Sequence, residues 1–305
     1  MSVLAVLKNR VESLPAWVGR PLANVPFTLR LGPEYMRAQR AIRRAERLTD
    51  AVAMAGTLQQ LRDLVRFAID QVEFYREFYR DKGFAPGELQ TLADWERVPV
   101  VTKADLQGVP LSARTARDAK GMKINTGGTS GQPLEFYLDH QAFAREWAHM
   151  HRIWQAHGYR PQHLKLTFRG KHFDPAQVLR YNAVHNEYVV NANAPMAAVV
   201  QAVMALPRST VIRWLHGYPS LVAEFAHAVA ALPAMERATF RARLFGVLLG
   251  SEYPVPVYRT VIEEVLTTNV VSWYGHSEMA ILARETASGV YESLPTYGFA
   301  EAVPA

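Results

Sequence analysis

Apolar residues recur at intervals of three and four along residues 33–48 and 58–82. In the second stretch they fall at Leu61, Leu64, Val65, Ala68, Ile69, Val72 and Phe74 or Tyr75, the spacing of one helix face. These stretches predict a helical leader over residues 1–110. From residue 140 the pattern alternates: a helix at 140–157, a strand at 164–168, a helix at about 195–206, a strand at 211–216, a helix at 219–231, then strands at 243–249 and 269–274. Strands separated by helices need crossover connections, so an α/β fold with a mostly parallel sheet is expected. Short strands around 187–191 suggest an additional sheet layer. Residues 111–305 then read as an α/β core on which the leader packs, all within one large domain, without internal repeats or low-complexity tracts.

Composition narrows the class. A chain of 305 residues with 49% hydrophobic and 20% charged residues is close to the globular average and can bury a sizeable core. The absence of cysteine removes disulfides, thiolate metal sites and cysteine nucleophiles. No apolar run approaches the ~20 residues of a membrane span, and the first residues lack the features of a secretory signal. The expectation is therefore a cytoplasmic chain without a transmembrane segment. The net charge of +6 is concentrated in the leader, at Arg37, Arg40, Arg43, Arg44 and Arg47, interleaved with apolar positions. That pattern reads as one solvated helix face. With no recognition motif beside it, no nucleic-acid partner is expected, and attraction of anionic ATP or of a membrane surface accounts for the charge as well. His149, His151, His157, His163, His172 and His185 match no zinc spacing. Phe74, Tyr75, Phe78 and Tyr79 read as core packing rather than a cofactor platform.

Two segments carry candidate chemistry. Residues 124–139 place Thr126, Gly127, Gly128, Thr129, Ser130, Gly131 and Gln132 between two strand-like pieces. Glycines free of a Cβ allow consecutive N–H groups to turn inward on an anion, and the hydroxyls add donors. Neither the Walker A lysine nor the Gly-x-Gly-x-x-Gly spacing is present, so a plain hairpin joining 122–125 to 134–138 remains the alternative. In residues 269–284 an apolar strand breaks at Tyr274 and Gly275, and the pattern then restarts as an amphipathic helix. This puts His276, Ser277 and Glu278 at the carboxyl edge of a strand and the first turn of a helix, where open α/β sheets bind ligands. Glu278 can ligate Mg2+, a hard cation. Ser277 acting only as a helix cap, with Glu278 against the helix dipole, is the competing reading.

Together these segments resemble the adenylate-forming (AMP-binding) enzymes, more narrowly the phenylacetate-CoA ligase family with its capsular-polysaccharide-biosynthesis, CapK-like relatives. Thr126 to Pro133 correspond to the family's Thr/Ser/Gly-rich phosphate loop, and Tyr274 to Glu278 to its Tyr-Gly-x-Ser/Thr-Glu motif. His216 to Ser220 and Gly250-Ser251-Glu252 look like landmarks between them, and the resemblance spans roughly residues 58–303. It implies that residues 126–132 grip the ATP phosphates, with Thr129, His276 and Glu278 at the reacting centre. Tyr274 would flank the adenine, with Gly275 and Ser277 beside it, and Ser251 and Glu252 would border the pocket. Glu278 would hold Mg2+. The implied reaction joins a small carboxylic acid to ATP as an acyl-adenylate, with transfer to CoA or another acceptor.

Gln132 stands where many members of that family carry Lys. The family continues beyond its large domain into a small C-terminal domain with a catalytic Lys, so this chain is expected to hold the large domain only. A catalytically silent nucleotide-binding or interaction module is the second reading that such a truncation allows. A serine hydrolase built on Ser220 or Ser251 is a third, without the Gly-x-Ser-x-Gly elbow. Lys103 follows a strand-like end within reach of a phosphate in principle. Trp147, Trp154, Trp214 and Tyr218 around His216 permit an aromatic or bulky acyl group.

Overall fold

The computed structural model describes residues 14–126 and 133–301. Its leader contains α1 (Ala16–Gly19), α2 (Phe27–Leu31), α3 (Pro33–Ala45), α4 (Asp50–Gln71), α5 (Glu73–Asp81) and α6 (Lys103–Gln107). The continuous helix expected over 58–82 is instead two helices. Val72 between them is extended, with φ −121° and ψ 119°, so α5 folds back and packs Tyr79, with Phe84 and Leu89, on Val65 of α4. Phe74, Tyr75, Phe78 and Tyr79 touch one another ring to ring in this cluster, as packing residues do. The arginines at 37, 40, 43, 44 and 47 are exposed.

A hairpin follows, β1 (Gly121–Asn125) paired antiparallel with β2 (Glu135–Asp139), and then α7 (Ala142–Gln155). The leader docks on α7 through Phe27, Tyr35, Ala38 and Ile42 against Ala148. Two buried polar contacts fix the register. The Tyr35 hydroxyl lies 2.8 Å from His151 Nδ1, and Gln39 Nε2 donates to the Ala148 carbonyl at 2.8 Å.

The remaining strands are β3 (Leu164–Lys171), β4 (Leu179–Asn182), β5 (Glu187–Asn191), β6 (Ile212–Gly217), β7 (Gly246–Leu249), β8 (Val270–Gly275), β9 (Leu282–Ala287) and β10 (Val290–Ser293). Among the described residues they form one sheet in the order β10-β9-β8-β7-β6-β3-β5-β4, parallel from β5 through β8 and antiparallel at both margins. Residues 187–191 therefore belong to the main sheet and not to an additional layer. All five are buried, as a strand covered on both faces requires. Side chains alternate across the sheet: Val247 and Leu249 enter one cluster with α8 (Met196–Met204), α9 (Pro219–Ala230) and α11 (Pro256–Leu266), while Leu248 enters the other, with Trp154 of α7, Trp214 and Trp273. Two helices absent from the expected pattern, α10 (Ala234–Arg241) and α11, complete that first layer.

The largest departure concerns residues 276–284. No helix forms there. β8 turns at 276–279 and returns as β9, pairing Trp273 with Arg284, Tyr274 with Ala283 and Gly275 with Leu282. Leu282 and Ala283 bury against the sheet when this segment is a strand, and Met279 adopts φ 52°, outside the helical region. Residues 294–301 run as turn and coil. Among the described residues, no helix is long and apolar enough to cross a membrane.

A buried ion pair ties the sheet centre together. Lys165 Nζ donates to the His185 carbonyl at 2.8 Å and the Tyr159 hydroxyl at 3.3 Å, and it lies 3.7 Å from Glu187 Oε2. Thr167 Oγ1 donates to the same carboxylate oxygen at 2.8 Å. Burial draws the Lys165 pKa down to about 8 despite the Glu187 charge. For Glu187 burial acts upward, and the cationic neighbours led by Lys165 hold it below its ordinary value. Removing one partner leaves an uncompensated buried charge, so Glu187→Ala is expected to cost about 3–5 kcal/mol. The Lys165→Met/Glu187→Leu double variant should recover most of that loss, as read from urea denaturation midpoints.

Candidate active site

Parallel pairing brings the carboxyl ends of β3, β6, β7 and β8 to one edge. Phe168 faces Gly217, Gly217 faces Leu249, and Leu249 faces Ser272 in register. Three of the four segments singled out in the sequence emerge here, at Gly217 to Ser220, Gly250 to Glu252 and Tyr274 to Glu278. In open α/β sheets this is the ligand-binding edge.

Two glycines make the convergence possible. Gly217 has φ 148°, and a Cβ there would lie 2.0 Å from the Phe168 carbonyl oxygen. That oxygen instead accepts from Tyr218 N at 3.0 Å, and the Gly217 carbonyl accepts from Gly250 N at 3.1 Å. A Cβ on Gly250 would fall 2.3 Å from the Trp273 ring. The next residue, Ser251, takes φ 70°, a cost for a non-glycine residue that functional loops commonly bear. This turn aims Glu252 at the start of α9, where its Oε2 accepts from the Ser220 hydroxyl at 2.7 Å and from Ser220 N at 3.2 Å. A carboxylate at a helix N-terminus is electrostatically favourable. Ser220 thus hydrogen-bonds to an acid, not to the histidine a hydrolase triad would require.

Tyr274, 54% exposed, stands near the end of β8. Beyond Gly275, His276 Nδ1 lies 2.8 Å from Glu278 Oε2. His276, Ser277 and Glu278 occupy a turn between antiparallel strands, which corrects the expected first helical turn; neither a cap nor a helix dipole acts on them. Among the described residues no cluster of three or more ligating side chains forms a metal cage. Magnesium commonly uses one or two carboxylates with substrate phosphates and water, and Glu278 fits that role, since only its Oε2 is engaged.

Gly127, Gly128, Thr129, Ser130, Gly131 and Gln132 lie outside the described residues. The neck of their loop is closed by Thr126, whose N donates to the Leu134 carbonyl at 3.0 Å and whose Oγ1 accepts from Leu134 N at 3.0 Å. The flanking strands pair as the hairpin reading expects. Lys103 begins α6, after a capping box made by Thr102 and Asp105.

Behind this edge lie His216 and its neighbour Trp154, which the sequence singles out, and Arg169, Glu146 and Tyr297, which sequence reasoning missed. His216 is buried, stacked on Trp273 at 5.5 Å and set edge-on to Trp154 at 4.9 Å. Arg169 Nη2 lies 3.1 Å from His216 Nε2. A guanidinium can only donate, so Nε2 accepts and Nδ1 carries the proton. That Nδ1 is buried without a partner among the described residues. Burial, then the charges led by Arg169, keep His216 well below its ordinary pKa and therefore neutral. The Arg169 guanidinium also sits 5.4 Å from the Trp147 ring centre. One residue before Trp147, Glu146 accepts a hydrogen bond from the Tyr297 hydroxyl. Burial pushes its carboxyl up to about 7, with Arg169 opposing. The available signal was position: Arg169 immediately follows the 164–168 strand.

No family model matches the chain. Protein CapK of Staphylococcus aureus is 20% identical over 239 residues, covering 77% of this chain and 52% of the relative. The structure of 2-hydroxyisobutyryl-CoA ligase with 2-HIB-AMP and CoA in the thioesterification state superposes with a TM-score of 0.56 at 22% identity, over 79% of this chain and 53% of that one. An open conformation of that ligase gives 0.54 at 21% identity, over 77% and 53%. This chain has the fold of the adenylate-forming ligases. It spans about half the length of these relatives.

The Glu146 carboxyl yields a signed pH dependence. Its folded value, near 7, lies above the ordinary 4.5, so the stability carried by the protonated form is complete below about pH 4.5 and is lost as pH rises through 7. Glu146→Gln, which stays neutral, is expected to match the parent chain at pH 4. It should gain on the order of 1–2 kcal/mol over the parent by pH 8, as read from urea midpoints across that range.

Proposed function

We propose that this chain is the nucleotide-binding large domain of an adenylate-forming carboxylate ligase, comprising a helical leader at 1–110 and an α/β core at 111–305. The observation that carries the reading is the meeting of three motif segments on one sheet edge, beside a buried histidine with an unpaired N–H. In this reading the 126–132 loop holds the ATP phosphates through backbone N–H groups and hydroxyls, including Thr129, and Tyr274 flanks the adenine. Ser251 and Glu252 border the pocket, and Gly275 and Ser277 shape the turn that carries Glu278. Bound Mg2+, held by Glu278, would supply charge neutralisation at the phosphates.

The chemistry asks for positioning and electrostatics more than for a protein nucleophile. The acid's carboxylate oxygen bonds to the α-phosphorus of ATP, and the bond from that phosphorus to the bridging oxygen of pyrophosphate breaks. Acyl-adenylate and pyrophosphate result, and transfer to a CoA thiol or another acceptor completes a ligase cycle. His276, hydrogen-bonded to Glu278, fixes the direction of that carboxylate. The aromatic wall of Trp147, Trp154 and Trp273 and the donors His216 and Arg169 set one side of the acyl pocket. The 2-hydroxyisobutyryl-CoA ligase structures, with an acyl-AMP and CoA bound on a similar fold, support this assignment.

Calorimetric titration of Mg-ATP and AMP tests it directly. The parent chain is expected to bind both. Glu278→Ala should weaken Mg-ATP by about tenfold or more while affecting AMP less, because the carboxylate acts through the metal. Gly128→Val should weaken Mg-ATP by obstructing the phosphate loop. Unchanged affinity in both variants would remove the site from this edge.

A further inference from the structure

At the opposite edge of the sheet, by the amino ends of β3 and β6, lies a cavity of about 600 Å³. It is roughly a strand length, ~20 Å, from the edge described above. Its walls come from the segment around α1 and from the strand starts: Trp17, Arg20, Asn24, Gln162, His163 and Arg213 supply the side chains that matter. The lining contains no aspartate or glutamate.

The wall is held in place. A Cβ on Gly19 would lie 2.8 Å from Ala183 Cβ, so this segment sits tightly against the chain beside β4. Arg20 Nη1 donates to Thr210 Oγ1 at 2.8 Å and Nη2 to the Ser209 carbonyl at 3.0 Å. Arg213 Nη1 donates to the Arg243 carbonyl at 3.1 Å, with its guanidinium carbon 4.6 Å from the Phe245 ring centre. Both guanidinium groups are thus oriented by neutral partners, and among the described residues no ion pair engages either. Each retains N–H donors in a planar fork suited to carboxylate or phosphate.

His163 adds a neutral donor. Its Nδ1 accepts from Trp214 Nε1 at 3.1 Å and from Arg160 N at 3.2 Å, which leaves the proton on Nε2. Burial, then the Arg160 and Arg213 charges, lower its pKa. Trp17, 81% exposed, stands at the rim.

We propose that this cavity is a second ligand site, separate from the nucleotide edge, that takes a compact polyanion bearing phosphate or carboxylate groups. Arg20 and Arg213 supply the charge, His163 and Gln162 supply directed donors, and Trp17 covers the mouth. The inference does not rest on the nucleotide reading.

The test follows the Trp17 indole N–H resonance, assigned from a Trp17→Phe variant, during titration with pyrophosphate and separately with citrate. This probe reports the cavity edge alone. A saturable shift is expected, and response to one anion but not the other identifies phosphate or carboxylate as the preferred group. Arg213→Gln and Gln162→Glu should each weaken binding by about tenfold or more. Arg208→Gln, which removes the same charge from an exposed position outside the cavity, should leave it nearly unchanged. If Arg213→Gln does not fold, Gln162→Glu decides alone, because the Gln162 side chain makes no hydrogen bond among the described residues. An unmoved Trp17 resonance with both anions would overturn the proposal. So would an Arg208→Gln effect as large as that of Gln162→Glu.

Discussion

Strand ends can meet as closely as they do at the carboxyl edge only where no Cβ intervenes. Gly217 lies against the Phe168 carbonyl and Gly250 against the Trp273 ring, at separations no other residue tolerates. That steric condition fixes the edge as a unit. The Gly217 and Gly250 backbones hydrogen-bond across the strand ends, Ser251 is driven into the left-handed region, and Glu252 is delivered to Ser220. Segments far apart in sequence thereby become neighbours whose positions are set by the backbone, not by flexible side chains.

Behind the edge, α7 and the sheet enclose an unusual density of polar groups for a core. Lys165, Glu187, Thr167, His151 and His216 are all buried. Each buried polar group demands a partner, and most find one: carbonyls, hydroxyls, or each other across β3 and β5. The same demand extends to the leader, whose Tyr35 and Gln39 meet His151 and the Ala148 carbonyl. The leader is therefore joined to the core by specific hydrogen bonds as well as by apolar contact. The two ends of the sheet differ in character: aromatic and partly buried at the carboxyl edge, cationic and open at the amino edge.

Much of the architecture was legible because it follows from periodicity. Residues 140–157, 195–206 and 219–231 form helices near those bounds, and the strands at 164–168, 211–216 and 269–274 pair in parallel. The failures share a cause. At 276–284, apolar spacing suited helix and strand alike, and pairing with β8 decided between them, a tertiary effect that local pattern does not contain. At Val72 one extended residue split a helix whose apolar spacing runs on unbroken. At 187–191 a short apolar run carried no information about which sheet it would join. For the site, three of the motif segments meet at one edge of the sheet, as the positions of their strands imply. Glu146, Arg169 and Tyr297 stayed hidden because their meeting depends on how α7 lies across the sheet.

The hydrogen bond between Arg20 and Thr210 spans 190 positions. During synthesis at ~5–20 residues per second, its donor waits on the order of 10–40 seconds for its acceptor. For most of that interval the segment around Gly19 has no Ala183 to close on, and Phe27 and Tyr35 lack α7. A segment made well before its partners is thus late to find its place. The emerging leader must stay unaggregated with apolar faces uncovered, a burden that the arginine-rich outer face of α3 is well suited to lighten through charge.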